Sequence, residues 1–121
     1  MSAVRIEETT RDGCVIVALH GGLDVGAAAF LQRLLLRRLS ERPPVVVCDL
    51  AALEAIDIIC ATVFSTAARP AARWQDTELA LAAVRDPVAA VLHRAGAAGT
   101  VPVYRTVDEA VAHRSALART S

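Results

Sequence analysis

The sequence predicts an α/β fold: a mixed sheet of four to five strands with about four helices. The expected order is β-β-α-β-α-β-α-β-α. Three observations carry it. Short runs of β-branched and aliphatic residues recur along the chain. Between them, apolar residues fall at the 3.6-residue period of a helix. Asp12-Gly13 separates the first two runs and predicts a hairpin, after which strands and helices alternate. That alternation implies parallel pairing through right-handed crossovers.

The elements follow in order. Val4 to Thr9 alternates weakly and suits an edge strand. Cys14 to Leu19 is a continuous apolar run, bounded by Asp12-Gly13 and Gly21-Gly22, and reads as a buried strand. From Val25 to Glu41, Ala27, Phe30, Leu31, Leu34 and Leu35 recur at helical spacing, and Pro43-Pro44 stops the helix. Val45 to Leu50 is a short β-branched strand. A second helix starts near Asp57, its N-cap. Cys60, Val63, Phe64, Ala67, Ala71 and Trp74 form its apolar stripe. Ile58, Thr62, Ser65, Arg69 and Arg73 form the opposite face, with Ile59 at the boundary and Pro70 kinking or shortening the helix. Thr77 to Val84 reads as a strand. Asp86-Pro87 predicts an N-cap followed by proline at the first helical position. Val101 to Tyr104 is a short strand, and Thr106 with Glu109 is a capping box opening the last helix.

Composition narrows the function. The chain has 121 residues, 13 basic and 13 acidic, so its formal net charge is zero. Hydrophobic residues make up 55% but aromatics only 3%, so the core is expected to be aliphatic. Every basic residue is arginine. The neutral balance argues against nucleic-acid binding, which needs a basic excess to meet phosphate charge. No stretch reaches the roughly 18–20 apolar residues of a membrane span, and the polar start lacks the order of a signal peptide. A cytoplasmic protein is expected. Cys14, Cys48 and Cys60 are odd in number without CxxC spacing, and His20, His93 and His113 are scattered. Neither a disulfide framework, a metal site nor a cofactor is expected. Asp24, Asp49 and Asp57 stand near strand ends, but no His, Lys or glycine-rich phosphate loop accompanies them, so catalysis is not expected.

Several stretches together resemble one family. They are Gly21-Gly22-Leu23-Asp24, the run Val45 to Leu50 ending Asp49-Leu50, and Ala55-Ile56-Asp57. Asp86-Pro87-Val88, Ala95-Gly96 and the run Val103 to Ala110 complete the pattern. Their order and spacing are similar to the STAS domain of anti-sigma factor antagonists. That family shows Gly-Glu-Leu-Asp, a strand ending Asp-Leu, and Asp-Ser-Ser-Gly at the next helix start. The resemblance covers residues 4–115 of a single domain spanning 1–121. It implies a non-enzymatic module that binds an anti-sigma factor, a serine kinase of histidine-kinase-like ATPase fold, and so releases a sigma factor. It places the partner-binding residues at Asp24, Asp57, Ile58, Ile59 and Thr62.

The family's phospho-acceptor serine falls at Ile58 here, its second serine at Ile59 and its glycine at Cys60. Isoleucine has no hydroxyl, so the switch that adds about −1.5 to −2 charges at this helix start is missing. Thr62, one turn on, is the alternative acceptor, ahead of Ser65 and Ser40. Ile58 reads either as a tucked side chain or as an exposed contact, and with Ile59 would also suit a homodimer. Cys60 in a first helical turn is a candidate redox thiol, against its place in the buried stripe. Arg33, Arg37, Arg38 and Arg42 read as a solvated face or as a surface for an acidic partner. Another role for such a domain is the cytoplasmic STAS subunit of a membrane lipid-transport ATPase or another signalling complex.

Overall fold

The structure, a computed structural model, describes residues 4–74 and 76–120. The first three residues of the polar N-terminal stretch lie outside them. The elements are β1 (Arg5–Arg11), β2 (Cys14–Leu23), α1 (Val25–Ser40), β3 (Val46–Asp49), β4 (Leu53–Ile56), α2 (Ile58–Ala71), β5 (Leu79–Ala82), α3 (Asp86–Arg94), β6 (Val103–Tyr104) and α4 (Val107–Thr120). A short 3-10 turn, Ala97–Gly99, follows α3. The predicted order stands, with one strand added: β4.

The sheet runs β1-β2-β3-β5-β6, with β4 pairing β2 off that path. β1 is antiparallel to β2, and every other pairing is parallel. The hairpin turn is built by Asp12 at φ 54° and Gly13 at φ 80°. Two successive positive φ values match the right-handed twist of the flanking strands. Gly13→Ala would force a Cβ into that left-handed conformation. The expected loss is about 1–2 kcal/mol of stability, read as a lower urea midpoint at unchanged slope.

Alternation along the strands divides the core. Val17, Leu19, Val46, Cys48, Leu79 and Leu81 face one side, where they meet Leu31, Leu35 and Leu39 of α1, Phe64 and Ala67 of α2, and Val88 and Leu92 of α3. Cys14, Ile16, Val45, Val47, Ala80 and Ala82 face the other, against Ala110 and Val111 of α4. In β5 the leucines thus belong to the core on the side of α1, α2 and α3, and the alanines to the core on the side of α4.

Three local expectations are corrected. Phe30 was expected in the α1 stripe but is exposed, because the buried line follows Leu31, Leu35 and Leu39 at four-residue steps. Trp74 lies past the end of α2 and packs half-buried against the core from the following loop. α3 begins one residue early: Arg85 is the N-cap without a side-chain bond, and Asp86 enters the first turn, where its charge suits the helix dipole. The last helix keeps its capping signal. The Thr106 hydroxyl accepts from Glu109 N at 3.1 Å, and Glu109 Oε2 accepts from Arg105 N at 3.2 Å.

Candidate functional site

Two helix starts lie side by side at one end of the sheet. β2 and β4 pair in parallel with Leu23 opposite Ile56. One residue later each chain turns into a helix, with Asp24 capping α1 and Asp57 capping α2. Asp57 N donates to Leu23 O at 3.1 Å, which locks the two turns together. Asp24 Oδ1 accepts from Ala27 N at 3.1 Å and Asp57 Oδ1 from Ile59 N at 2.8 Å. Each aspartate satisfies one of the free amides at its helix start.

Both carboxylates are therefore engaged in shaping the backbone, and what they present outward is apolar. Ile58 is 47% exposed, Ile59 64% and Val25, the first residue of α1, 58%. Each follows a capping aspartate in the first turn of its helix. Sequence reasoning picked out Ile58 and Ile59 but not Val25. Its signal was present: Asp24-Val25 repeats the cap-then-β-branched pattern of Asp57-Ile58. What the sequence did not show is that β4 brings the two copies of that pattern together.

The other residues singled out fall into place around this surface. The Thr62 hydroxyl is exposed and donates to Ile59 O at 2.6 Å, a local bond within the helix. Asp49 Oδ1 accepts from Ala51 N at 3.1 Å and shapes the turn into β4. Cys60 is fully buried in the core cluster. Its thiol is pushed up by burial, then by the negative charges of Asp57 and Asp24. A protonated, enclosed thiol is a poor nucleophile, which runs against the requirements of a redox sensor. Cys14 and Cys48 are also free and buried. Of the arginine run, Arg38 is tied to Glu8 and Glu41, and Arg42 lies over Trp74 with 4.9 Å to the ring centroid. Arg33 and Arg37 alone remain exposed on α1 without a described ion pair, too few to make a basic surface. Among the described residues, no three His, Cys, Asp or Glu side chains gather as metal ligands, and no helix is long and apolar enough to cross a membrane.

Solved structures share this fold. The chain is similar to an anti-sigma factor antagonist from Mycobacterium paratuberculosis, with a TM-score of 0.78 and 22% identity over 93% of this chain and 95% of that one. It is similar to an anti-sigma-factor antagonist (STAS) domain protein from Planctomyces limnophilus, with a TM-score of 0.76 and 16% identity over 91% and 97%. A sulfate transporter family protein from Wolinella succinogenes matches with a TM-score of 0.74 and 22% identity over 92% of each chain. No curated protein matches the chain. The model of the STAS domain matches residues 5–110, nearly the whole of the sheet and the helices packed on it, and the chain belongs to the STAS domain family.

Proposed function

We propose that the chain is a non-enzymatic regulatory module that binds an anti-sigma factor through the paired helix starts, and so frees a sigma factor in the cytoplasm. The observation that carries this reading is the exposure of Ile58 and Ile59 beside the Asp24 turn. Exposed apolar side chains gathered at one place mark interaction surfaces. Here two rigid, hydrogen-bonded caps hold them, so little ordering is needed on binding. The fold relatives that act as anti-sigma factor antagonists support the choice of partner.

Control by phosphate at residue 58 is excluded by chemistry, since Ile58 offers no oxygen. The module then acts by its abundance, or through Thr62 as the substitute acceptor. The test is binding to an anti-sigma factor of histidine-kinase-like ATPase fold from the native host, measured by calorimetry. Ile58→Asp and Ile59→Asp are each expected to weaken binding by about 30-fold or more, the loss of about 2 kcal/mol typical of a buried interface anchor. Unchanged affinity in both variants would remove these residues from the interface. Incubation with ATP and that kinase is expected to label Thr62 or nothing, and Thr62→Ala decides between them.

The sulfate transporter relative supports a second reading, a cytoplasmic subunit of a membrane transporter. Capture of a transporter component rather than an anti-sigma factor from the native host, lost in Ile58→Asp, would establish it instead.

A further inference from the structure

α1 and α2 start at the same end of the sheet and pack against each other. Their charges are distributed alike. No Asp or Glu lies within either helix, and neither carries an arginine in its first half. The arginines come later: Arg33 and Arg37 on α1, Arg69 on α2 and Arg73 just past its end, all exposed and without a described ion pair. Two arginines on α1 are too few for a basic surface, but four from neighbouring helices make one. The acids that follow the helices face other cations, Glu41 meeting Arg38 and Asp76 meeting Arg42.

At the helix starts the sign is reversed. Asp24, Glu54 and Asp57 are exposed there, and the segments 21–26 and 50–59 hold no basic residue. At about 1.5 Å per residue, Arg33, Arg37 and Arg69 stand about 14–20 Å along the helices from the capping aspartates. That exceeds the screening length of about 8 Å at physiological salt, so the two ends do not neutralise each other. Helix-dipole compensation acts only on charges in a first or last turn. It leaves Arg33, in mid-helix, and Arg73, beyond the helix, without a counterpart.

We propose that copies of this chain associate head to tail, the arginine half of the α1–α2 face of one molecule covering the helix starts of the next. The chain supplies both sides of the contact. The acidic end, with exposed Ile58 and Ile59, meets four arginines, and exposed Phe30 and Pro70 bring apolar surface to the arginine side. A formal net charge of zero leaves no overall repulsion between copies. The contact joins unlike surfaces, so it extends into chains or rings rather than a two-fold dimer. Because it covers Ile58 and Ile59, self-association withholds them from any other partner, whatever that partner is.

Sedimentation velocity on the full chain tests this. The average mass is expected to rise with concentration at low salt. It should return to that of the monomer at about 1 M salt, where the screening length is about 3 Å. Arg69→Glu with Arg73→Glu blocks the tail, and Ile58→Arg blocks the head. Each variant is expected to weaken self-association at least about tenfold. Mixed in equal amounts the two are expected to pair, because one keeps its arginines and the other its helix starts. A two-fold contact through Ile58 would instead persist in the tail variant. Thermal melting verifies folding, and Arg33→Glu with Arg37→Glu is the second tail variant should the first not fold. A monomeric unaltered chain, association undiminished in the tail variant or in high salt, or a mixture that does not pair would each overturn the proposal. So would arginine-dependent binding to phosphatidylglycerol vesicles by a chain that stays monomeric, which would make this face a membrane contact.

Discussion

Phe64→Ala is expected to cost about 3–5 kcal/mol of folding stability, the range for deleting a fully buried aromatic ring. Phe64 is the largest fully buried side chain among the described residues. It sits on α2, in the core where the leucine face of the sheet meets α1, α2 and α3. Its neighbours are small or already interlocked, Cys60, Ala61 and Ala67 among them, so few of them can collapse into the space. With total stabilities of domains near 5–15 kcal/mol, the loss is a large share of the whole. The melting temperature should fall by about 10–25 °C. Phe30→Ala is the internal control, since that ring is exposed and should change stability by less than about 0.5 kcal/mol. Equal effects of the two substitutions would show that α2 does not pack as described.

Stability is expected to fall steeply above about pH 9. Cys14, Cys48 and Cys60 are all buried, and burial is the main cause that pushes each thiol above its ordinary value of 9.0. The shift is largest at Cys48, in the middle of β3. Below pH 9 both the folded and the unfolded chain hold these protons, so pH has no leverage through them. Above it the unfolded chain releases them while the folded chain keeps them, and rising pH favours unfolding. Cys48 alone contributes a slope of up to about 1.4 kcal/mol per pH unit, and Cys14 and Cys60 add to the fall in the same direction. Tyr104, also raised chiefly by burial, adds to the fall above about pH 10. The reading is clean because the chain contains no lysine to titrate in the same range. Urea unfolding between pH 7 and 10.5 measures it. Cys48→Ala should lower stability at pH 7 yet flatten the alkaline slope. Parallel curves for the two proteins above pH 9 would refute the account.

The parts of the fold that depend on neighbours in sequence were legible. Asp12-Gly13 specifies its turn by the φ values those residues tolerate, and Asp24, Asp57 and Thr106 announce helix starts through their own side-chain oxygens. β4 was not legible. Its four residues, Leu53–Ile56, have buried ends and exposed Glu54 and Ala55 between them, a pattern with neither alternation nor a continuous apolar run. Phe30 was misplaced because one helical stripe fits Leu34 and Phe30 as well as Leu31 and Leu39, and only the packing of α1 on the sheet chooses between them. The exposure of Ile58 and Ile59 could be suspected from the hydroxyls the family keeps there. Their nearness to Val25 could not, because it arises from the β2–β4 pairing.

The two borders of the sheet also decide how the protein behaves when crowded. Its inner strands, with sequences VVCD and LALA, are the kind that recruit other chains once uncovered. One border is β1, where Arg5, Glu7, Glu8 and Arg11 are exposed along a seven-residue strand. The other is β6, only two residues long. Charge guards the first and brevity the second against strand-to-strand stacking between molecules. The N-terminal hairpin is thus a solubility device as much as part of the fold. A chain deprived of β1 would offer the apolar run Cys14 to Leu19 as an open template for aggregation.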